Sequence, residues 1–260
     1  MSRHTPSKLH TRTKYIQVAL NGTMAEATAT ISALPISPRI ILEAGTPFIK
    51  RYGAEGIRTL RDQYASKIAI ANFGAKASEA LRPFFGGSAH STPARIRGAI
   101  ETVPYIVADM KTIDRGATEV EIVANAGASA IVAMGTAPAE TLNAFIFACK
   151  QYNIDAMIDM MNVPFPLTVL RSLKVPPPVV ILHRGVDEER DNREKMLPFH
   201  EIQRIKGNYD IMIAVAGGDT PREVERATFN GADIVVVWKS VADGNGTMLE
   251  MVNRFLKEVR

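Results

Sequence analysis

The chain predicts a single (β/α)8 barrel, and three features of the sequence carry that prediction. Short apolar, β-rich runs alternate with longer helical patterns, which is the order of βαβ units around a parallel sheet. Eight such runs can be counted over 260 residues, the usual span of a closed (β/α)8 domain. Several of them, Val179-Val-Ile-Leu182 and Ile234-Val-Val-Val237 most clearly, are continuously apolar rather than alternating, as strands covered on both faces are. The predicted strands are Tyr15 to Leu20, Arg39 to Glu43, Tyr105 to Asp109, Ala130 to Met134, Ile154 to Ile158, Val179 to His183, Ile211 to Val215 and Asp233 to Val237.

Helix punctuation supports the same repeat. Asn125-Ala-Gly127-Ala and Asn230-Gly231-Ala-Asp both place a glycine where a helix stops in the left-handed conformation just before a strand. Thr220-Pro221-Arg222-Glu223 has a capping residue, proline at the first helical position and glutamate at the third, so a helix begins directly after the seventh strand. Pro176-Pro177-Pro178 reads as a rigid lead-in to the sixth strand. One stretch, 65–104, is too long for the roughly 2 to 6 residues of an ordinary αβ loop and is expected to be a helical insertion between the second helix and the third strand. Within it Ala75 to Phe85 and Pro93 to Thr102 look helical, with a turn at Phe84-Phe-Gly-Gly-Ser88. The domain plan is thus a basic N-terminal arm, 1–14, read as a solvated tail, followed by the barrel over 15–260.

Composition limits the classes of function. Hydrophobic residues make up 46% and charged residues 22% of the chain, which is ordinary for a folded protein and excludes disordered and collagen-like classes. A single cysteine, Cys149, excludes an intrachain disulfide framework or a thiolate zinc site and fits a reducing compartment, so a cytoplasmic location is expected. No apolar run approaches the roughly 18 residues needed to span a bilayer, and a membrane role is not expected. The formal charge of +4 is compatible with a phosphorylated substrate or weak nucleic-acid contact and selects neither. Arg3, Lys8, Arg12 and Lys14 of the arm have no interleaved aromatic side chains for base stacking, so nucleic-acid binding is not expected either.

The chemistry concentrates at predicted strand ends, which in a barrel face the mouth. In Val107-Ala-Asp109-Met-Lys111-Thr-Ile-Asp114 a carboxylate and an ammonium two residues apart face the same side, with a second carboxylate following on the loop, so three charges are expected to converge. Glu43 ends the neighbouring strand and is placed level with Asp109. The pair either holds a divalent cation, for which magnesium suits two carboxylates better than zinc does, or is neutralised directly by Lys111 and Arg184. His183, ending the sixth strand, stands where a general base would. Gly217-Gly218, after the seventh strand and before a helix, and Lys239, after the eighth, form a candidate phosphate site.

These runs resemble the orotidine 5′-monophosphate decarboxylase suprafamily, whose signature is matched by Asp109-x-Lys111-x-x-Asp114. Within it, Leu42-Glu43-Ala-Gly-Thr46-Pro47-Phe-Ile-Lys50, His183-x-Gly185-x-Asp187 and Ala216-Gly217-Gly218 are most similar to the 3-hexulose-6-phosphate synthases, with 3-keto-L-gulonate-6-phosphate decarboxylases as near relatives. The resemblance implies a homodimer of (β/α)8 barrels, magnesium on Glu43 and Asp109, sugar phosphate on the loops after the last two strands, and Asp114 reaching the neighbouring subunit's site. It implies aldol addition of formaldehyde to D-ribulose 5-phosphate, with Lys111 stabilising an enediolate, His183 moving the proton and Asp114 orienting Lys111. A related sugar-phosphate decarboxylase or lyase, or a weakly catalytic barrel kept as a binding module, are the alternatives. The chain departs from the family in having Asn21 for a substrate-contacting Asp and Trp238 for a Gly beside the phosphate. Lys239 takes the place of an Arg found in the decarboxylase relative. Glu189 replaces a Gln, and Val186 replaces the Arg that the decarboxylase uses in protonation.

Overall fold

In the computed structural model, which describes residues 6–81, 103–192, 194–218, 220–238 and 247–259, eight parallel strands close into a barrel in sequence order. The strands are β1 (Tyr15–Leu20), β2 (Ile40–Ala44), β3 (Ile106–Thr112), β4 (Ala130–Met134), β5 (Asp155–Asp159), β6 (Val179–His183), β7 (Met212–Ala216) and β8 (Ile234–Val237). Each lies where the apolar runs predict it, with a boundary moved by one residue in five of them and by three at the end of β3. The described helices are α1 (Met24–Ala33), α2 (Thr46–Leu81), α3 (Gly116–Asn125), α4 (Ala139–Gln151), α5 (Pro166–Ser172), α6 (Val186–Asp191), α7 (Phe199–Lys206), α8 (Pro221–Phe229) and α9 (Thr247–Glu258). None is long and apolar enough to cross a membrane.

Alternation along each strand separates two apolar layers. Ala19, Ile41, Val107, Val132, Met157, Ile181 and Val236 fill the lumen. Their neighbours, such as Val18, Leu42, Ala108, Ile131, Ile158, Leu182 and Val237, point outward against the helices, where they meet Phe48, Leu60, Tyr64 and Phe145. Both faces of the sheet are therefore dry, and at about 1.5–3 kcal/mol per buried aliphatic or aromatic side chain this two-layer core dominates stability.

The punctuation forms as the sequence reads. Gly127 and Gly231 take φ of 86° and 97° after α3 and α8. Thr220 caps α8 in a reciprocal box with Glu223. A second box, Thr23 with Glu26, starts α1, and the Lys67 ammonium donates to the carbonyls of Ile31, Ser32 and Leu34 at its far end. Those carbonyls have no partner within the helix, so a cation from α2 satisfies them.

Three expectations are corrected. The stretch 65–81 is a direct continuation of α2, whose single break comes earlier, at Gly53 with φ 56° and ψ −149°, so no separate helix starts at Ala75. The rest of the expected insertion, 82–102, lies outside the described residues. The β6–β7 connection holds two helices, α6 and α7, where the repeat suggests one. The N-terminal arm also departs from a solvated tail, because residues 7–14 close the barrel floor. Leu9 is buried in the lumenal layer, Ser7 Oγ donates to Asp155 Oδ2 at 2.6 Å, and the Lys8 amide donates to both oxygens of the same carboxylate. Tyr105 OH donates to Asp155 Oδ2 at 2.6 Å, and Lys14 pairs with the buried Asp233 at 2.9 Å.

Asp155 thus holds three donors on the closed end. Replacing it by alanine strands a tyrosine hydroxyl, a serine hydroxyl and a backbone amide, and we expect Asp155→Ala to lower unfolding free energy by about 3 kcal/mol in urea titration. A loss below about 0.5 kcal/mol would mean that the arm does not seal the floor in solution.

Candidate active site

At the opposite end of the barrel a cavity of about 430 Å³ opens among the C-terminal ends of the strands. Its walls include Gln17, Asn21, Glu43, Thr46, Asp109, Lys111, Asp159, His183, Arg184, Gly217 and Trp238. The end of β3 makes the site possible. Register with β4 shifts between Ala108 and Thr112, and Lys111 adopts φ 51°, a left-handed conformation costly for a residue with a Cβ. A bulge of this kind re-aims the side chains that follow it. Here it brings Lys111 Nζ back to within 3.0 Å of Asp109 Oδ1 and 2.8 Å of Asp159 Oδ2.

Asp159 is the centre of the arrangement. Only 1% exposed, it accepts from Lys111 and from His183 Nδ1, the latter at 2.8 Å, on the same oxygen, while its Oδ1 accepts the Met161 amide at 2.9 Å. Burial opposes its charge, but His183 and Lys111 outweigh that and hold the carboxyl below its usual range. Burial likewise opposes the Lys111 ammonium, and Asp109 with Asp159 raise its pKa nevertheless. For His183 burial favours the neutral ring, and Asp159 reverses the sign, so its pKa lies above the ordinary 6.5. Because Nδ1 is held by Asp159, Nε2 is the ring nitrogen left for a ligand.

Glu43 sits deeper. The register pairs it with Val107, so Asp109 stands two residues nearer the mouth rather than level with it as the sequence suggests. Gln17 Nε2 donates to Glu43 Oε2, and burial followed by the Asp109 charge pushes the Glu43 pKa up to about 7. Thr46, at the start of α2, places its hydroxyl 2.8 Å from both Asp109 Oδ2 and the Asp109 carbonyl, sharing one proton between them. Two hard oxygen donors whose repulsion is strong enough to shift a pKa fit a divalent cation, which would relieve that repulsion. Among the described residues no set of three or more His, Cys, Asp or Glu side chains forms a metal-holding group, so two protein carboxylates are the donor set available.

The remaining predicted residues divide. Asn21 and Gly217 line the cavity, and Gly218 does not, since its Cα faces Leu197 and Glu223. Gly217 has φ 93°, and a Cβ there would meet the Arg184 carbonyl at 2.1 Å, so this glycine serves close packing of two loops. Arg184 ties those loops together, donating from Nη2 to the Gly217 carbonyl at 2.7 Å and to Glu223 Oε1 at 3.3 Å, and from Nη1 to the Lys195 carbonyl at 3.1 Å. It is therefore engaged with Glu223 and does not neutralise Glu43 or Asp109. Asp114 is exposed beyond β3 and outside this cavity, so the expected convergence of three charges is met by Asp159 in its place. Lys239 lies outside the described residues. The sequence reading misses Asp159 and Gln17. Asp159 carries the same signal as Glu43, an acid closing an apolar strand, and is lost because the fifth strand is ended one residue early at Ile158.

An eight-stranded parallel barrel with an Asp–Lys–Asp–His constellation at its C-terminal mouth carries its chemistry-bearing groups at the strand ends, where (β/α)8 enzymes place their active sites. Residues 95–243 match the family described as Orotidine 5'-phosphate decarboxylase / HUMPS family, and the chain belongs to that family. It is 31% identical over 250 residues to the Bifunctional enzyme Fae/Hps of Methanocella arvoryzae, covering 95% of this chain and 53% of that protein. The chain spans about half the length of the curated relatives it matches. Among solved structures, 3-hexulose-6-phosphate synthase from Salmonella typhimurium shares the fold with a TM-score of 0.71 at 20% identity over 94% of this chain and 97% of that one. 3-Keto-L-gulonate-6-phosphate decarboxylase from Vibrio cholerae follows with 0.61 at 20% identity over 94% and 99%.

The geometry makes Asp159 the cause of the raised His183 pKa. Titrated by NMR, the His183 ring is expected to lose its proton above pH 6.5 in the native protein and at a lower pH in Asp159→Asn, with His183→Asn used to assign the signal. An unmoved midpoint would show that another group sets it.

Proposed function

We propose that the chain is a magnesium-assisted cytoplasmic aldolase that joins formaldehyde to D-ribulose 5-phosphate, giving D-arabino-hex-3-ulose 6-phosphate, and catalyses the reverse. The observation that carries this reading is Lys111 held between Asp109 and Asp159 beside His183 on the same carboxylate. Such a site can move a proton next to a ketone and stabilise the charge that results. The 3-hexulose-6-phosphate synthase fold match and the Fae/Hps relatives support the choice of substrate.

In the forward direction His183 in its neutral form takes the proton from the ketose carbon that will be extended. Electron density then moves onto the adjacent carbonyl oxygen, forming an enediolate. The Lys111 ammonium, fixed by two carboxylates, offers its charge where this oxygen becomes negative, and needs no reorganisation to do so. The nucleophilic carbon attacks formaldehyde, a carbon–carbon bond forms, and the new alkoxide takes the proton back from the His183 imidazolium. Asp159 keeps the ring oriented and stabilises it while it is charged. Glu43 and Asp109 would hold the magnesium, which supplies further electrostatic stabilisation of the enediolate oxygens when bound. A homodimer is part of the proposal, with Asp114, exposed after β3, as the residue that reaches the neighbouring subunit's site.

The experiment is formaldehyde consumption by the purified protein, with and without ribulose 5-phosphate and magnesium. Turnover should need both, and Asp109→Ala should reduce it by about 10²-fold or more, because it removes a cation ligand and one of the two anchors of Lys111. A folded protein that consumes no formaldehyde but decarboxylates a phosphorylated keto acid would move the assignment to the related lyase chemistry. One that turns over neither would leave a binding module.

A further inference from the structure

A guanidinium buried directly beside the candidate base calls for a reason, because a charged group gives up water only where fixed partners replace it. Arg184 follows His183 in the chain and is 8% exposed. Its amide donates to the Ala216 carbonyl at 3.1 Å, one step beyond the His183–Ala216 pair that ends the β6–β7 ladder. Its Nη2 donates to the next carbonyl along, that of Gly217, at 2.7 Å, and to Glu223 Oε1 on α8 at 3.3 Å. Its Nη1 donates to the Lys195 carbonyl at 3.1 Å. One side chain thus joins the end of β6, the connection between α6 and α7, and the loop from β7 to α8.

These bonds act where regular structure stops. Strand β7 ends at Ala216, so beyond it the ladder no longer places the backbone, and Gly217 is the first residue that depends on Arg184. The fit there is close, since a Cβ on Gly217 would stand 2.1 Å from the Arg184 carbonyl oxygen and 3.0 Å from its Cβ. The anchors are themselves fixed. Glu223 Oε2 accepts the Thr220 hydroxyl at 2.9 Å in the box that starts α8, and Lys195 pairs with Glu188 of α6. Helix α6 has no buried residue, so packing does not hold it, and the bond from Arg184 to Lys195 closes the excursion that carries it. His183 and Gly217 both line the mouth cavity, and Arg184 is the link between them.

We propose that Arg184 is a positioning residue that sets how far the Gly217 loop stands from His183, and through that spacing the length of ligand the mouth accepts. The proposal rests on the reading of the substrate as a phosphorylated ketose reaching from one to the other, but not on the aldol step. Arg184→Lys is the test, because it keeps a charge opposite Glu223 while a compact ammonium replaces the planar fork that serves three acceptors. The probes are ribitol 5-phosphate, which has no carbonyl and cannot react, and glycerol 3-phosphate, which is two carbons shorter. By calorimetry the native protein is expected to bind ribitol 5-phosphate about tenfold or more tightly than glycerol 3-phosphate, and in Arg184→Lys that ratio should fall by about tenfold. A merely structural role would weaken both ligands alike and leave the ratio unmoved. Asp155→Ala, destabilised at the opposite end of the barrel, should therefore keep the native ratio. If Arg184→Lys does not fold, Glu223→Gln, which removes only the charge of one anchor, should lower the ratio in the same direction. An unaltered ratio in the folded variant, an equal fall in Asp155→Ala, or no preference for the longer ligand in the native protein would each overturn the proposal. Failure of the native protein to bind either phosphate would overturn the substrate reading and the proposal with it. An Arg184-dependent ratio without formaldehyde consumption would uphold the proposal and overturn only the aldolase reading.

Discussion

Closure of eight parallel strands is the constraint on which everything else in this molecule rests. With no sheet edge and both faces dry, backbone groups are satisfied around the ring, and the lumen is filled by Ile41, Val107, Met157, Ile181 and their neighbours. Polar side chains on the inner face can then be accommodated only at the two ends, and both ends are used. The lower end is sealed by Asp155, Tyr105, Ser7 and Leu9, and the upper end gathers Glu43, Asp109, Lys111, Asp159 and His183. The same strands that make a stable core therefore deliver chemistry-bearing groups to one small volume, and only there.

Within that volume the charges are arranged so that none is left alone. Lys111 lies between two carboxylates, His183 shares one of them, and the deeper Glu43 takes the Gln17 amide. Removing either partner of such a buried set leaves an uncompensated charge, which costs more than the pair contributes. The backbone strain at Lys111, φ 51° beyond the β3 bulge, is tolerated because Asp109 and Asp159 pull its ammonium inward. Position, protonation and strain are thus set together by Asp159.

Much of this was legible in the chain before folding. Apolar runs located every strand, because a strand covered on both faces has to be apolar throughout, and acids, lysine and histidine interrupting those runs marked the mouth. What escaped was whatever depends on contacts between distant segments. Asp159 was hidden because nothing local tells whether a terminal acid closes a strand or opens a loop. The Asp109–Lys111 bulge could not be read, since two residues on one face are expected of a regular strand as well. The arm looked like a tail because its single apolar anchor, Leu9, has no periodic company, and its docking depends on a carboxylate 147 residues away. Arg184 looked like a counter-ion for the mouth, but its partners Gly217 and Glu223 lie on another loop and helix.

Strand β5 carries an acid at each end, Asp155 at the floor and Asp159 at the mouth, four residues apart on the lumenal face with Met157 between them. Sliding this strand by one residue would turn both carboxylates into the apolar layer beneath the helices and strip seven hydrogen bonds from them. The two acids act as stops on a rail. They leave the strand a single alignment with its neighbours, so the residues that equip the molecule for chemistry at one end and for closure at the other also tell the assembling barrel when its fifth stave is in place.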